Sequence, residues 1–178
     1  MSKILAIDTS TSRSCVAIIE GVNLLYSGFR DGATAHGPSL PALVQEALAV
    51  SDIDEVVVGM GPGPFTGLRV GIAFAQSFAL ARQIPVRGVC SLDAIAAQVQ
   101  GSDFIITVDA RRKEVYWARY IDGVRVGQPA VNFPADVIGA PIYADLFPDM
   151  LGLANLPGDI TEPIYLRRPD AVATADRP

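Results

Sequence analysis

The sequence has few of the residues from which metal sites, disulfide frameworks and catalytic triads are built. It contains one histidine, His36, and two cysteines, Cys15 and Cys90, which lie far apart in the chain. Metal sites usually take three or four protein ligands with several His or Cys among them, so we predict no metal site. We expect His36 to position a loop through a hydrogen bond. The two thiols are expected to be buried and reduced in a cytoplasmic protein, although their spacing alone does not exclude a disulfide.

Charge and hydropathy exclude two further classes of protein. The formal net charge is −5, and Lys and Arg form no stripe that could neutralise a nucleic-acid backbone on its own. No apolar run approaches the roughly 18 residues of a membrane helix, and charge interrupts the N-terminal apolar run too early for a signal peptide. Half of the 178 residues are hydrophobic, which predicts a packed core in one ordinary domain or two small ones.

Residues 1–99 show the alternation of a mixed α/β sheet. Three apolar strands follow one another through short turns, which predicts antiparallel pairing, and helices and strands alternate after them. The predicted order is β-β-β-α-β-α-β-α, with helices on the faces of one sheet. The predicted strands are Lys3–Asp8, Cys15–Glu20, Asn23–Phe29, Val56–Met60 and Pro85–Val89, and the predicted helices are Leu40–Val50, Thr66–Gln83 and Ser91–Gln98, with Ser91 as an N-cap.

The same strand pattern restarts in the second half of the chain. Ile105–Asp109 repeats Ile4–Asp8, since both are apolar strands that end in Asp, and Val115–Ile121 repeats the second strand. We interpret this as an internal duplication, with chance similarity as the alternative. The chain is too short for a second full copy, so we predict an N-terminal subdomain of residues 1–99, a shortened C-terminal subdomain of 100–168 and a disordered tail of 169–178. Short helices are predicted within 133–139 and 143–153.

A glycine- and proline-rich loop, Gly59–Gly67, connects the fourth strand to the second helix. A Walker A loop needs a lysine that reaches the phosphates, and this loop has none. A dinucleotide fingerprint needs a third glycine where Thr66 stands, and the preceding strands form a meander instead of a βαβ unit. Phosphate binding is therefore the less favoured function of the loop.

The second helix carries a stripe of small residues at every fourth position. Such a stripe lets another element approach closely, and the rest of this helix is also largely apolar. Either the first helix covers it, or the two helices together form an interface with another subunit. The candidate interface residues are Leu40, Leu43, Val44, Ala47, Gly67, Leu68, Gly71, Ala75, Phe78 and Ala79.

Two carboxylates end equivalent strands of the two copies. Asp8 and Asp109 could face each other across a cleft and hold Mg²⁺, or each could cap the turn that follows it. Residues 110–114 lack the glycine that would let a backbone approach phosphate closely. Their three cations could attract an anion, but an exposed hairpin tip or a salt bridge to a partner is favoured. No Ser/His/Asp set can be assembled around the single histidine.

Taken together, these motifs resemble the TsaB (YeaZ) family, the accessory subunit of the bacterial tRNA threonylcarbamoyladenosine modification machinery. The resemblance covers nearly the whole chain, and the Gly-Pro loop with its Phe-Thr-Gly-Leu-Arg continuation is its most specific part. The matching segments are Ile4–Ser10, His36, Gly61–Gly71, Ser91-Leu92, Asp109–Tyr116 and Pro163–Arg167.

The resemblance implies an actin-like fold of the sugar kinase and Hsp70 type, without a catalytic site or cofactor of its own. It implies a TsaD-type catalytic partner that uses a metal and modifies adenosine 37 of ANN-decoding tRNAs, and a TsaE-type ATPase. The first two helices would form the interface, with a second copy or with the catalytic partner, and tRNA would be reached only through the complex. The alternative is an actin-fold ATPase or small-molecule kinase acting alone, with Asp8, Thr9 and Asp109 as candidate nucleotide ligands.

Overall fold

A computed structural model describes residues 1–158 and 160–167, which form two β-sheets with helices around the first. The first sheet has the strand order β3-β2-β1-β4-β5 and the second has the order β8-β7-β6-β9. Strands of the first sheet are β1 Lys3–Asp8, β2 Arg13–Glu20, β3 Asn23–Asp31, β4 Glu55–Gly59 and β5 Val86–Val89. Strands of the second are β6 Asp103–Asp109, β7 Val115–Ile121, β8 Val124–Asn132 and β9 Ile142–Tyr143.

The two sheets repeat one topology. In each, three strands form an antiparallel meander, and the next strand pairs parallel to the first of them, β4 to β1 and β9 to β6. The second sheet stops one strand earlier, so it is a shortened copy. This topology confirms the predicted α/β fold of two related halves, of the actin-like class, with the order β-β-β-α-β-α-β-α in the first half.

Two helices cover one face of the first sheet, α1 His36–Leu48 and α2 Phe65–Arg82. Their inner faces bury side chains such as Leu43 and Leu68 against Leu5, Ile7 and Ile18. Burial of apolar surface contributes about 25 cal/mol per Å², so these contacts stabilise the first half. Within the described residues, no helix is long and apolar enough to span a bilayer.

The short helix α3, Ser91–Ala96, joins the two sheets. Leu92 and Ile95 lie fully buried against Phe104 and Tyr120 of the second sheet. Asp93 of the same helix accepts hydrogen bonds from the Tyr120 hydroxyl at 2.7 Å and from Arg125 at 2.8 Å. The helix therefore attaches the second sheet through both apolar and polar contacts.

The last helix, α4 Met150–Asn155, returns to the first sheet. Met150, Leu153 and Ala154 pack on its second face, against residues such as Ala17 and Val57. The predicted boundary at residue 99 assigned this helix to the second subdomain, whereas its packing places it with the first. An apolar helix face has to be buried, and the uncovered face of the first sheet offers it a site.

Other differences from the sequence-based prediction have local causes. Helix α1 starts at His36, earlier than the predicted start at Leu40, so Pro41 lies inside it. Strand β8 was not predicted because Gly127 and Pro129 interrupt its pattern, which an edge strand tolerates. The helix predicted within 133–139 is only a 3₁₀ turn, Pro134–Asp136, and the one within 143–153 begins at Met150. The predicted tail of 169–178 lies outside the described residues.

Candidate functional site

Asp8 ends strand β1 as a fully buried carboxylate. Its Oδ1 accepts hydrogen bonds from the Ser10 amide at 2.8 Å and the Ser10 hydroxyl at 2.7 Å, and its Oδ2 accepts one from the Ser91 hydroxyl at 2.6 Å. The Ser91 oxygen in turn accepts from the Gly61 amide at 3.2 Å. Burial raises the pKa of Asp8, and the hydrogen bonds from Ser91 and Ser10 oppose that shift. The carboxylate and the Ser91 hydroxyl thus connect β1, α3 and the Gly-Pro loop. Ser91 was predicted to cap α3, but its hydroxyl bonds to Asp8 and Gly61 instead, and Cys90 is the N-cap residue.

Glycines of the loop and of α2 allow the chain to pack against the turn that follows Asp8. A Cβ on Gly59 would overlap the Asp8 carboxylate, one on Gly63 would overlap the Ser10 backbone, and one on Gly71 would overlap the Thr9 side chain. Thr9 is buried, and its hydroxyl donates to the Gly67 carbonyl at 2.7 Å. The predicted nucleotide ligands Asp8 and Thr9 are therefore both occupied by contacts within the chain.

The small-residue stripe of α2 faces this turn and the first sheet. Of the ten candidate interface residues, the structure buries all except Phe78 inside the chain's own core, and Phe78 is half-buried. These buried side chains have no surface to offer a partner while the fold is intact. An interface on α1 and α2 stays a prediction, but it must use the opposite side of both helices.

His36 lies at the start of α1, 4% exposed, beside the same turn. Its Nδ1 is 2.8 Å from the Ser14 hydroxyl oxygen. Burial lowers the pKa of His36, and the nearby Asp8 opposes the shift. The expected positioning hydrogen bond is present, although the histidine belongs to a helix instead of a loop.

A cleft between the two sheets contains the second aspartate. A cavity of about 440 Å³ is lined by Thr11, Ser12, His36, Asp109, Arg111 and Asp145, among others. Asp109 is exposed there, and its Oδ1 accepts from the Arg111 amide at 2.8 Å, which caps the turn. Asp8 is fully buried and absent from the described lining, so the two carboxylates do not line this cavity together. Across residues 1–158 and 160–167, no group of three or more His, Cys, Asp or Glu is placed to hold a metal.

A neighbouring cavity of about 460 Å³ lies between the start of α2, the β6–β7 turn and the C-terminal segment. Phe65, Arg111, Arg112, Tyr165 and Arg167 line it, and none of the described lining residues is acidic. The sequence indicated the cations of 111–113, but not Arg167, because only the fold brings the C-terminal segment to this cleft. The segment Pro163–Arg167 was nevertheless visible as a motif.

Comparison with known proteins agrees with this architecture. A family model described as TsaD, tRNA N6-adenosine threonylcarbamoyltransferase, matches residues 31–160. A solved structure described as YeaZ from Pseudomonas aeruginosa superposes with a TM-score of 0.73 at 30% identity, covering 86% of this chain and 91% of that one. The chain belongs to the TsaB (YeaZ) family.

The share of each relative that the chain covers varies. The protein of Escherichia coli named tRNA threonylcarbamoyladenosine biosynthesis protein TsaB is 36% identical over 66% of this chain and 54% of its own length. The Bacillus subtilis protein of that name is 32% identical over 66% of this chain and 54% of its length, so the chain spans about half of these two relatives. An uncharacterized protein of Mycobacterium tuberculosis is 46% identical over 96% of this chain and 94% of its own length.

Proposed function

We propose that this chain is a non-catalytic subunit that binds a TsaD-type threonylcarbamoyltransferase and supports formation of N6-threonylcarbamoyladenosine at position 37 of ANN-decoding tRNAs. Support comes from the family, whose members in Escherichia coli and Bacillus subtilis are named for biosynthesis of this modification. The side chains of Asp8 and Thr9 already make hydrogen bonds within the chain, which supports a role other than catalysis.

The observation that carries the proposal is the largely uncharged outer face of α1 and α2, the side of both helices that points away from the sheet. Leu80 on this face is 80% exposed, and Phe74 stacks on Phe78 with ring centroids 5.7 Å apart. Apolar surface of this kind marks interaction sites on soluble proteins. The exposed residues of the outer face are Pro41, Ala42 and Gln45 on α1, Ala49 just after it, and Ala73, Gln76, Ser77, Leu80 and Ala81 on α2, and the half-buried Val70 and Phe74 lie at its edge.

The charged residues of these helices lie beside the outer face and have partners within the chain. Glu46 pairs with Arg30 at 2.6 Å, and Arg82 pairs with Asp52 at 2.8 Å. Arg69 stacks on the Phe65 ring at 3.7 Å. An apolar centre with a charged rim is the usual composition of a protein interface.

On this proposal, the TsaD-type subunit occupies the outer face in the working complex, and a second copy of this chain occupies it when the partner is absent. A TsaE-type ATPase joins the assembly, and ATP and the metal are held by the partner subunits. Contact with tRNA is made only through the complex.

The interface is tested by placing a charge on the outer face. Leu80→Asp would bury an unpaired carboxylate, which costs roughly 2–4 kcal/mol and lowers affinity for the TsaD-type subunit about 100-fold. Val22→Asp is the matched control, because Val22 is 81% exposed in the β2–β3 turn, away from both helices. Co-elution with the partner should be lost only for Leu80→Asp; retained binding by that variant would refute the proposed interface.

The supporting role is tested by reconstituting the tRNA modification with TsaD- and TsaE-type proteins, tRNA, ATP and an activated threonylcarbamoyl donor. We expect no product from this chain alone and none when it is left out of the mixture. The competing function, an ATPase or small-molecule kinase, is favoured by the cleft that contains Asp109. Calorimetry with Mg-ATP and an assay of ATP turnover decide between the two, because tight binding and turnover without a partner would support the enzyme.

A further inference from the structure

The segment Ile160–Arg167, here the C-terminal strap, crosses the Gly-Pro loop and touches both halves of the molecule. The Ile160 amide donates to the Gly88 carbonyl at 3.1 Å, and the Ile164 amide donates to the Met60 carbonyl at 2.8 Å. The Ile160 side chain packs against the cores of both sheets. The strap is thus fixed to the first half before its last residues reach the cleft.

Tyr165 connects the strap to the first turn of α2. Its ring lies 4.9 Å from the Phe65 ring, and its hydroxyl accepts a hydrogen bond from Arg69 Nε at 3.3 Å. Because Arg69 also stacks on Phe65, the three side chains form one cluster at the start of the helix.

Arg167 connects the strap to the β6–β7 turn of the second half. Its Nη1 donates to the Ala110 carbonyl at 3.0 Å, and its guanidinium pairs with the Glu114 carboxylate. Both partners of the ion pair are about three-quarters buried, so solvent screens the pair less than an exposed one. Arg167 therefore contacts both ends of the turn, at Ala110 and at Glu114.

The residues between those two ends have an unfavourable backbone conformation. Arg111, Arg112 and Lys113 have φ values of 60°, 54° and 65°, a left-handed run without glycine. This conformation is strained for residues other than glycine, and strain of this kind persists only where surrounding contacts enforce it. Two hydrogen bonds inside the turn enforce this conformation together with Arg167. The Ala110 amide donates to the Glu114 carbonyl at 2.9 Å, and the Glu114 amide donates to the Arg111 carbonyl at 3.0 Å.

We propose that the C-terminal strap is a latch that sets the spacing of the two halves. Arg167 is a positioning residue that holds the strained β6–β7 turn against the start of α2, and so fixes the width of the cavity of about 460 Å³ between them. When Arg167 releases Ala110 and Glu114, the turn relaxes and that cavity opens, while each sheet keeps its own core.

Hydrogen exchange of the full chain tests the latch through Arg167→Ala. The amides of Ala110, Arg111 and Glu114, which donate hydrogen bonds in the turn, should exchange about 10-fold faster, while amides of β1 and β2 keep their rates. Arg119→Ala is the matched control, because it removes an ion pair to Asp103 that lies within the second sheet. Unchanged exchange in the turn, or equal acceleration throughout the chain, would overturn the proposal.

A second variant separates a latch from general destabilisation. Glycine adopts the left-handed conformation without strain, so Lys113→Gly in the Arg167→Ala background should restore most of the lost protection in the turn. The spacing of the two halves is measured by pulsed electron resonance between spin labels on cysteines that replace the exposed Val22 and Val124, one in each half at the end of its sheet away from the cleft. Arg167→Ala should broaden the distance distribution between the labels, and the same distribution in wild type and variant would contradict a latch.

Discussion

The turns after Asp8 and Asp109 start from the same sequence pattern and end in opposite environments. The Asp8 carboxylate is fully buried and accepts three hydrogen bonds, whereas Asp109 is exposed in the cleft and caps its own turn. Glycines let the Gly-Pro loop close over the first turn, and the second turn carries three cations in a left-handed run. The duplicated strand-Asp motif therefore holds the core together at Asp8 and lines a cavity at Asp109, because different elements pack against its two copies.

The largest effect on stability is expected for substitution of Asp8, and substitution of Asp109 is its direct comparison. Asp8→Ala leaves the buried hydroxyls of Ser10 and Ser91 without their acceptor, and we expect it to lower the free energy of unfolding by about 3 kcal/mol. Asp109→Ala removes a single exposed cap and should cost less than about 1 kcal/mol. Urea denaturation of both variants measures the difference, and equal losses would show that burial does not distinguish the two turns.

A smaller effect is expected at the glycine that packs on the first turn. Gly71→Ala would gain helix propensity in an ordinary helix, but here its Cβ would overlap the Thr9 side chain. We expect a net loss of about 2 kcal/mol in the free energy of unfolding. Ala73→Gly, on the outer face of the same helix, should instead show only the propensity loss of about 1 kcal/mol. Thermal unfolding of both variants checks this order, and a stabilised Gly71→Ala would contradict the packing described for Thr9.

The smallest effect concerns protonation of the buried cluster around the first turn. Because burial lowers the pKa of His36, the unfolded chain binds a proton at higher pH than the folded chain does. The contribution of His36 to the free energy of unfolding should therefore be fully present above its pKa in the unfolded chain, about 6.5. It should decline as pH falls from that value to the lowered pKa of the folded chain. Denaturation midpoints of wild type and His36→Gln, measured from about pH 8 to pH 5, should diverge in that interval, with the wild type losing more. Parallel curves would show that His36 does not couple folding to pH.

Much of the first half could be predicted from the sequence because its signals are local. The alternation of apolar strands and helices in residues 1–99 predicted five strands and three helices, and all of them are present with small shifts of their ends. The restart at Ile105 predicted the duplication, which the repeated strand order bears out. The family was likewise accessible from motifs, since the Gly-Pro loop is an unbroken segment of the chain.

The candidate sites could be predicted less well because burial depends on distant segments. The periodicity of α2 identified a stripe of small residues, but not whether Thr9 or another subunit lies against it. The pattern of Asp8 and Asp109 likewise could not reveal that Ser91 and Gly61 would enclose the first carboxylate. Strand β8 was missed because its glycine and proline are tolerated only at the edge of a sheet, which is a tertiary property.

By itself, the sequence determined the fold class, the duplication, the family and the tight course of the Gly-Pro loop, because hydrophobic period and glycine placement act over a few neighbouring residues. Only the tertiary structure decided which side of α1 and α2 is free, where α4 packs and what Arg167 holds. Those outcomes depend on contacts between residues far apart in the chain, such as Arg167 with Ala110 and Leu153 with the first sheet. The loop from Gly59 to Gly67 shows both influences. Its glycines can be recognised in a short segment of sequence, but the turn after Asp8, which packs against them, lies far away in the chain.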